Sequence, residues 1–222
     1  MRRTVIPELL DTDAGTPEEV RAALADLRLV NRWFGGASTM SSLLQRIARR
    51  TGMTQLRVLD VAGASGDVPA AAAEILRKQA IEMKVMLLDR APSHLNSRFP
   101  AVSGDAMALP FANESFDVVT CSLFAHHLEP AQIERFVCEG LRVARLAVVI
   151  SDLRRHPMHL ALVYAGWPLF SRITRHDAPV SIRRSYTAAE LKAVLMRTTA
   201  QNVELSRHYL FRMGAIAWKK SQ

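Results

Sequence analysis

Short apolar runs that alternate with amphipathic segments organise the middle of this chain. The apolar runs predict buried β-strands, and the segments between them have the three- to four-residue spacing of helices. The predicted strands cover 58–61, 83–88, 115–124 and 146–151, and the predicted helices cover 68–76 and 131–143. Because strands that alternate with helices favour parallel pairing, we expect an α/β domain with a mostly parallel sheet.

The N-terminal part of the chain predicts two helices within 17–51. Thr16 precedes a proline and two glutamates, which is typical of a helix start. Gly35 and Gly36 end this first helix, and a second helix is expected over 39–50.

The C-terminal part predicts a helix and a strand pair. Thr187 and Glu190 have the spacing of a capping box, which predicts a helix that continues to Thr198. The segments 202–211 and 214–218 are expected to form two antiparallel strands.

The turn after the first strand is the strongest candidate for a ligand site. Gly63 and Gly66 allow a tight turn that ends a buried strand and starts a helix. Ligands of open α/β sheets bind at such turns, although an ordinary strand-to-helix turn is the alternative. The segment lacks both the full G-x-G-x-x-G pattern and the lysine of a phosphate-binding P-loop.

An acid ends the second predicted strand. Asp89 follows Gly66 by 23 residues and is placed to accept hydrogen bonds from the two ribose hydroxyls of a nucleoside. A helix cap or a surface carboxylate is the alternative interpretation.

Four motifs in this order resemble the class I S-adenosylmethionine-dependent methyltransferases, in particular their ubiquinone/menaquinone-type small-molecule branch. The motifs are the turn 60–66, the acid Asp89, the G-D-A-x-x-L-P-F segment 104–111 and the S-F-D-V-V segment 115–119. The resemblance covers about 56–152. It implies a Rossmann-like, mostly parallel seven-stranded sheet with an antiparallel C-terminal strand pair, N-terminal helices and a lid inserted after strand five.

The resemblance also implies S-adenosyl-L-methionine as the cofactor and a set of residues that hold it. These are Asp60, Ala62, Gly63, Gly66, Asp89, Arg90, Asp105, Ala106 and Ser122. The chain departs from the usual motif, because Ala62 and Ala64 stand where glycine is commonest. Since alanine disfavours positive φ, the turn must use conformations that L-residues tolerate, or the cofactor must lie further out.

We expect one domain with four parts. An N-terminal helical cap (1–51) precedes the cofactor-binding core (52–152), a substrate lid (153–186) and the C-terminal helix and strand pair (187–222). Eight arginines and two aspartates lie between Arg142 and Arg184, whereas the whole chain has a net charge of +8. Such a basic segment suits an anionic or membrane-associated substrate or nucleic acid.

Nucleic acid is the less favoured partner. The strand-four end reads Thr120-Cys121-Ser122-Leu123, so it lacks both the N-P-P-[FY] motif of base-methylating relatives and a Pro-Cys nucleophile. A solvated basic face is the simpler interpretation of the arginines.

A second resemblance narrows the expected substrate. The chain resembles bacterial methyltransferases encoded beside type III polyketide synthases, and this implies methylation of a phenolic or resorcinolic polyketide, with or without a lipid tail. The resemblance rests on segments 31–36, 122–128, 152–155, 174–177 and 183–187. The substrate-binding residues expected from it are Asn31, Phe34, His127, Arg154, Arg155, Tyr164 and Trp167.

A phenol must lose a proton during methylation, so a nearby imidazole would help. We expect His126 and His176 to be the candidate bases and Tyr186 to orient the substrate hydroxyl. The alternatives are C-methylation of a quinone-type lipid, an RNA-directed methyltransferase, and a cofactor-binding protein without transferase activity.

The last expectations concern the cellular location and the oligomeric state of the protein. Cys121 and Cys138 have no metal-ligand spacing, and we expect no metal and a cytoplasmic location. The apolar stretch 158–170 is too short to span a bilayer. Both a monomer and a homodimer are compatible with the sequence.

Overall fold

A seven-stranded mixed sheet forms the centre of the molecule. The computed structural model describes residues 1–12, 14–63, 65–90 and 99–220, so Ala64 lies outside the described residues. The strands are β1 (Gln55–Val61), β2 (Glu82–Asp89), β3 (Ala101–Ser103), β4 (Phe116–Ser122), β5 (Ala144–Leu153), β6 (Asn202–Arg207) and β7 (Arg212–Trp218). The helices are α1 (Pro17–Trp33), α2 (Gly36–Thr51), α3 (Asp67–Arg77), α4 (Pro130–Val143), α5 (Pro157–Ala165), α6 (Arg172–Arg184) and α7 (Ala188–Leu195).

The strand order is β3-β2-β1-β4-β5-β7-β6. β7 runs antiparallel to β5 and β6, and the other neighbouring strands pair in parallel. This confirms the predicted fold class. From β1 the chain builds outward to β2 and β3, then crosses back to β4 and builds in the other direction. The crevice between the carboxyl ends of β1 and β4 is therefore the topological switch point, where open α/β sheets bind ligands.

Both faces of the sheet are covered by helices. Leu59 and Val61 of β1 belong to an apolar cluster with residues of α4 and α7, whereas Leu56 and Val58 belong to a second cluster with residues of α2 and α3. Because side chains alternate between the faces of a strand, this division explains why apolar residues of β1 are buried on both of its faces.

The lid region departs from the sequence-based prediction in two ways. The segment 158–170 was expected to be amphipathic, but α5 is apolar all around and buries none of its residues. The second difference is α6, which the sequence did not predict and which contains Pro179. A proline inside a helix removes a backbone donor and normally argues against helix.

The predicted strand 202–211 ends early. β6 stops at Arg207, and Tyr209–Phe211 form a tight turn in which Leu210 and Phe211 have φ of 48° and 61°. These residues are apolar and favour β-strands, but two of them adopt left-handed backbone conformations. The prediction that the strand continues to residue 211 was therefore wrong.

Among the helices in the described ranges, none combines the length and apolarity needed to cross a membrane.

Candidate functional site

The turn after β1 is held against the neighbouring strand. The amides of Ala62 and Gly63 donate to the Leu88 carbonyl of β2 at 2.8 and 3.4 Å. A Cβ atom at Gly63 would lie 2.8 Å from Asp60 Oδ2, so this position requires glycine. Gly66, with φ of 74°, then starts α3. The turn folds closely around the Asp60 carboxyl because its glycines have no side chains.

Ala62 adopts the left-handed conformation, with φ of 55°. This is the position where the sequence departs from the usual glycine, and we expected a conformation that L-residues tolerate. The structure instead keeps a glycine-like turn with alanine in it. A non-glycine residue in this region costs about 1–2 kcal/mol, so the turn is strained.

Asp60 and Thr120 meet across the switch point. Asp60 is 2% exposed, and its Oδ1 accepts a hydrogen bond from the Thr120 hydroxyl of β4 at 2.5 Å. Burial raises the pKa of Asp60 to about 7, and the charge of Asp89 adds to this, although the hydrogen bond from Thr120 opposes it. A buried carboxyl of this kind would be stabilised in its ionised form by a cationic ligand.

Ser122, the last residue of β4, carries a buried hydroxyl next to the switch point. Its Oγ is buried and has no hydrogen-bond partner among the residues that the structure describes. Buried hydroxyls normally have a partner, so the carboxyl end of β4 has an unused hydrogen-bonding group next to the switch point.

Asp89 and Asp105 lie on neighbouring strand ends. Asp89 is the last residue of β2 and pairs in register with Ser103 of β3. Its carbonyl accepts from the Gly104 amide at 3.0 Å. Asp105 is exposed, and its Oδ1 accepts from the Met107 amide at 2.8 Å. The structure thus brings both acids to the same edge of the sheet.

The remaining predicted cofactor residues flank these acids. Arg90 is exposed, and its carbonyl accepts from the Ser103 hydroxyl at 3.4 Å. Ala106 is half-buried and packs against the core that includes α4. The roles of Arg90 and Ala106 in holding a cofactor stay predictions.

His126 is buried between two carboxylates. Its Nδ1 lies 2.7 Å from Asp152 Oδ1, its amide donates to Asp152 Oδ2, and its Nε2 lies 3.5 Å from Glu8 Oε1. Burial alone would lower the pKa of His126, but the charge and hydrogen bond of Asp152, followed by those of Glu8, raise it to about 9. The prediction that His126 acts as a base needs correction, because Asp152 and Glu8 face its two ring nitrogens in a buried position that leaves no open face for a substrate.

Tyr186 and Arg155 are framework residues rather than open contact points. The Tyr186 hydroxyl is buried and donates to the Leu128 carbonyl at 2.7 Å, and burial raises its pKa to about 12. Arg155 is buried and donates to the Met1 and Ser185 carbonyls and to Glu190. Because these contacts use their polar atoms, the structure corrects the expectation that either side chain orients or binds a substrate.

Asn31 also has a structural partner. Its Oδ1 accepts from Arg212 at 2.9 Å, and the neighbouring Phe34 carbonyl accepts from the same guanidinium at 3.3 Å. Arg212 is 1% exposed, and burial lowers its pKa to about 10. Sequence reasoning missed Arg212, because a single arginine in a short apolar strand carries no recognisable motif. The Phe34 ring itself remains exposed.

Within residues 153–186, the predicted lid, Tyr164 and His176 are exposed, whereas Arg154 and Trp167 are half-buried. The rings of Tyr164 and Trp167 stack at 5.3 Å, and the Tyr164 hydroxyl accepts from Arg183 at 2.8 Å. The Arg154 guanidinium lies 5.4 Å from the centre of the Phe211 ring. His176 of α6 is exposed, and its Nδ1 lies 2.7 Å from Asp177 Oδ1.

His127 belongs to a group that includes acids from the N terminus. Its Nδ1 lies 3.1 Å from Asp11 Oδ1, and its Nε2 lies 3.9 Å from Glu8 Oε1. The sequence did not predict Glu8 and Asp11 as members of this group. Both precede His126 by more than a hundred residues, and no sequence pattern connects them with the histidines.

Known proteins share parts of this architecture. A family model described as a methyltransferase domain matches residues 58–146. That segment runs from β1 to β5 and includes the switch point. By this match, the segment is similar to methyltransferase domains.

One curated relative is similar to this chain in sequence. The ubiquinone/menaquinone biosynthesis C-methyltransferase UbiE of Dinoroseobacter shibae is 37% identical over 101 residues, which cover 40% of this chain and 38% of that protein. The chain therefore spans less than half of the length of this relative.

Solved methyltransferase structures share the fold over most of the chain. The plantazolicin methyltransferase BpumL, in complex with a desmethylPZN analogue and SAH, has a TM-score of 0.67 at 12% identity, with 96% of this chain and 93% of that chain covered. The magnesium protoporphyrin IX methyltransferase ChlM from Synechocystis PCC 6803, with bound SAH, has a TM-score of 0.54 at 14% identity, with 84% of each chain covered. The predicted resemblance to class I methyltransferases is confirmed, whereas the association with polyketide synthases stays a prediction.

The strain at Ala62 predicts a stabilising substitution. Ala62→Gly should raise the free energy of unfolding by about 1 kcal/mol, because glycine adopts positive φ without a Cβ clash. Urea unfolding measures this. Ala80→Gly is a matched control, since Ala80 has φ of 58° in the turn after α3. Equal gains at both positions would match the backbone argument, and no gain at Ala62 would contradict it.

The raised pKa of Asp60 predicts a pH dependence of stability. The folded pKa of about 7 lies above the ordinary value of 3.8. The ligand-free folded state therefore holds a proton that the unfolded chain loses, and its stability should fall as pH rises from about 4 to about 7. Asp60→Asn should remove a loss on the order of a few kcal/mol between pH 5 and pH 8, measured by urea unfolding. An identical pH profile in wild type and Asp60→Asn would exclude the raised pKa.

Proposed function

We propose that the protein is an S-adenosylmethionine-dependent methyltransferase of a small hydrophobic hydroxylated molecule, with O-methylation favoured. The observation that carries the proposal is a pair of polar groups on either side of the β1–β4 switch point: the buried Asp60 carboxyl, whose pKa is raised to about 7, and the buried Ser122 hydroxyl, which has no partner among the described residues. A ligand with both positive charge and hydrogen-bonding groups would satisfy them.

The residues present fit this cofactor. The close approach at Gly63 provides a backbone-lined cradle, and Asp89 at the end of β2 is a suitable acceptor for ribose hydroxyls. Asp105 and Ala106 follow β3 next to it and would border the adenine. S-adenosylmethionine would supply an electrophilic methyl group on a positively charged sulfonium.

The acids at the strand ends have an electrostatic role in this proposal. The charge of Asp89 repels the ionised Asp60 carboxyl and contributes to the raised pKa of Asp60. A cationic ligand between the strand ends would offset that repulsion and lower the pKa of Asp60. Ligand binding should therefore release a proton from Asp60 below pH 7.

Exposed apolar surface supports a hydrophobic acceptor. α1 and α5 both pack against α6, and each leaves large apolar side chains open to solvent. These side chains include Trp33, Phe34, Met158, Leu162 and Tyr164. Met158, Leu162 and Tyr164, together with Trp167, would make residues 153–186 a suitable lid for an aromatic or lipid-tailed molecule. Arg154 and Arg183 border this surface and would favour a phenolate over a neutral ring.

His176 is the better candidate base of the two predicted histidines. It is exposed on α6, and the hydrogen bond between its Nδ1 and Asp177 would leave Nε2 as the proton acceptor. Asp177 itself is fixed by the amides of Leu9 and Leu10. The imidazole would accept the phenol proton while the lid aligns the oxygen with the methyl group, and alignment supplies most of the rate enhancement.

C-methylation of a quinone-type lipid is the second candidate. The sequence similarity to the C-methyltransferase UbiE favours it, although only two fifths of the chain takes part in that similarity. The same cofactor site serves both reactions, so the acceptor and the product distinguish them.

Cofactor binding is tested by titration calorimetry with S-adenosylhomocysteine. Asp89→Asn should weaken binding at least about 10-fold, because it removes the charge from hydrogen bonds worth roughly 1.5–3 kcal/mol. Glu82→Gln, at the opposite end of the same strand, is the matched control and should bind like wild type. Absence of binding by wild type would refute the proposed cofactor, and unchanged binding by Asp89→Asn would remove Asp89 from the site.

The acceptor and the base are tested with isotopically labelled S-adenosylmethionine. Alkyl-substituted phenols should be methylated, whereas fully O-methylated analogues and RNA should not. His176→Gln should lower kcat on a phenol by about 100-fold or more at pH 7, with partial recovery at higher pH as the phenol ionises by itself.

NMR of the product distinguishes an O-methyl from a C-methyl group. A C-methylated product would replace the first candidate by the second. An unchanged rate in His176→Gln, with cofactor binding intact in both proteins, would exclude His176 as the base. Binding of S-adenosylhomocysteine without transfer to any acceptor class would favour a cofactor-binding protein.

A further inference from the structure

Three side chains from distant parts of the chain converge beside the strand ends. Glu8 comes from the N-terminal segment, and His126 and His127 come from the turn that follows β4. One potential ligand atom of each lies within 4.8 Å of the others. We propose that Glu8, His126 and His127 bind a divalent transition-metal ion, with zinc as the best match.

The spacing of the ligand atoms suits such an ion. Glu8 Oε1 lies 3.5 Å from His126 Nε2 and 3.9 Å from His127 Nε2. Zinc–nitrogen and zinc–oxygen bonds of about 2.0–2.2 Å place two tetrahedral ligands roughly 3.3 Å apart. The two distances from Glu8 exceed this spacing by about 0.2 and 0.6 Å, and the three ligand atoms all lie within 4.8 Å of one another.

Carboxylates orient both imidazoles toward the centre of the group. His126 Nδ1 is bonded to Asp152 at 2.7 Å, and His127 Nδ1 lies 3.1 Å from Asp11. A proton on each Nδ1 leaves each Nε2 free to bind a metal, which is the carboxylate–histidine–metal arrangement of zinc sites. Arg184 lies 3.3 Å from His127 Nδ1, but the same guanidinium nitrogen is bonded to Asp11 at 3.1 Å. Asp11 is thus the closer partner of His127.

Glu8 provides an independent reason to expect a ligand. The residue is 8% exposed, and its Oε1 meets no hydrogen-bond geometry within the part of the chain that the structure describes. Its nearest polar neighbours are the two imidazole Nε2 atoms, at 3.5 and 3.9 Å. A buried carboxylate oxygen without a hydrogen bond is costly, and a cation between these three atoms would bind it.

The donor set indicates the class of metal. Two imidazoles and one carboxylate suit zinc and its first-row neighbours better than calcium or magnesium, which prefer oxygen ligands. Three protein ligands leave an open coordination position for water or an acceptor oxygen. Binding changes no oxidation state: the metal takes the Nε2 lone pairs and the carboxylate, and a proton on this group leaves to solvent.

An ion at this position would have two consequences, one for the proposed cofactor site and one for the N-terminal segment. His126 follows Ser122 by four residues, and Asp152 is near the end of β5, so the ion would lie at the same edge of the sheet as the proposed cofactor site. The ion would also tie the segment that contains Glu8 to this edge. The sequence predicted no metal, because Glu8 precedes the two histidines by more than a hundred residues.

Calorimetric titration of chelator-treated, untagged protein with zinc chloride tests the proposal. Wild type should bind one ion per chain, and Co²⁺ should give visible absorption bands from protein coordination. Glu8→Gln and His127→Gln should each weaken zinc binding by more than 10-fold, and Asp11→Asn should weaken it 10- to 100-fold through the loss of imidazole orientation. His208→Gln, a half-buried histidine on the β6–β7 hairpin, is the control and should bind like wild type.

Binding of S-adenosylhomocysteine by the same variants separates this inference from the proposed function and shows that they are folded. If Glu8→Gln does not fold, the more accessible His127→Gln carries the test. Failure of wild type to bind zinc or cobalt at one ion per chain would overturn the proposal. Binding that His127→Gln leaves as tight as in wild type would overturn it as well.

Discussion

The contact between the buried Asp60 carboxyl and the Thr120 hydroxyl joins the two halves of the sheet at the point where the chain reverses direction. The turn over Asp60 requires glycine at position 63 because a Cβ there would meet the carboxylate. Burial raises the pKa of Asp60, and the neighbouring acid Asp89 raises it further. The close approach of the turn and the raised pKa therefore both follow from the burial of this carboxyl. An acid has been placed where a ligand, rather than water, is expected to complete its environment.

The N-terminal segment is the second constraint on the site. Arg3 donates to the Leu128 and Arg184 carbonyls, and its guanidinium lies over the Tyr186 ring. Farther along, the amides of Leu9 and Leu10 donate to Asp177 of α6. These contacts tie residues that precede the first helix to the lid and to the turn after β4. The segment thus supports His126, His127 and His176 from one side, and changes in it should affect the site without altering the sheet.

Local patterns predicted the sheet and the tight turn after β1, but not the helices of residues 153–186. Val58 and Leu59 face opposite helical layers. Their apolar character therefore predicts a buried parallel strand without knowledge of distant contacts. The turn at Gly63 and the acid Asp89 are local consequences of the same strands. By contrast, α6 forms around Pro179 because its other residues pack against α1 and α5, and no local signal reports that packing. The roles of His126, Arg155 and Tyr186 depend on partners such as Glu8, Glu190 and Leu128, which are distant in sequence.

A crystal structure of the protein with S-adenosylhomocysteine tests the central claim most directly. The account predicts that the ligand lies between the carboxyl ends of β1 and β4, with its ribose hydroxyls bonded to Asp89 and with Asp60 and Ser122 bordering it. A ligand bound elsewhere on the molecule, with the turn at Gly63 unchanged and Ser122 still without a partner, would contradict the account.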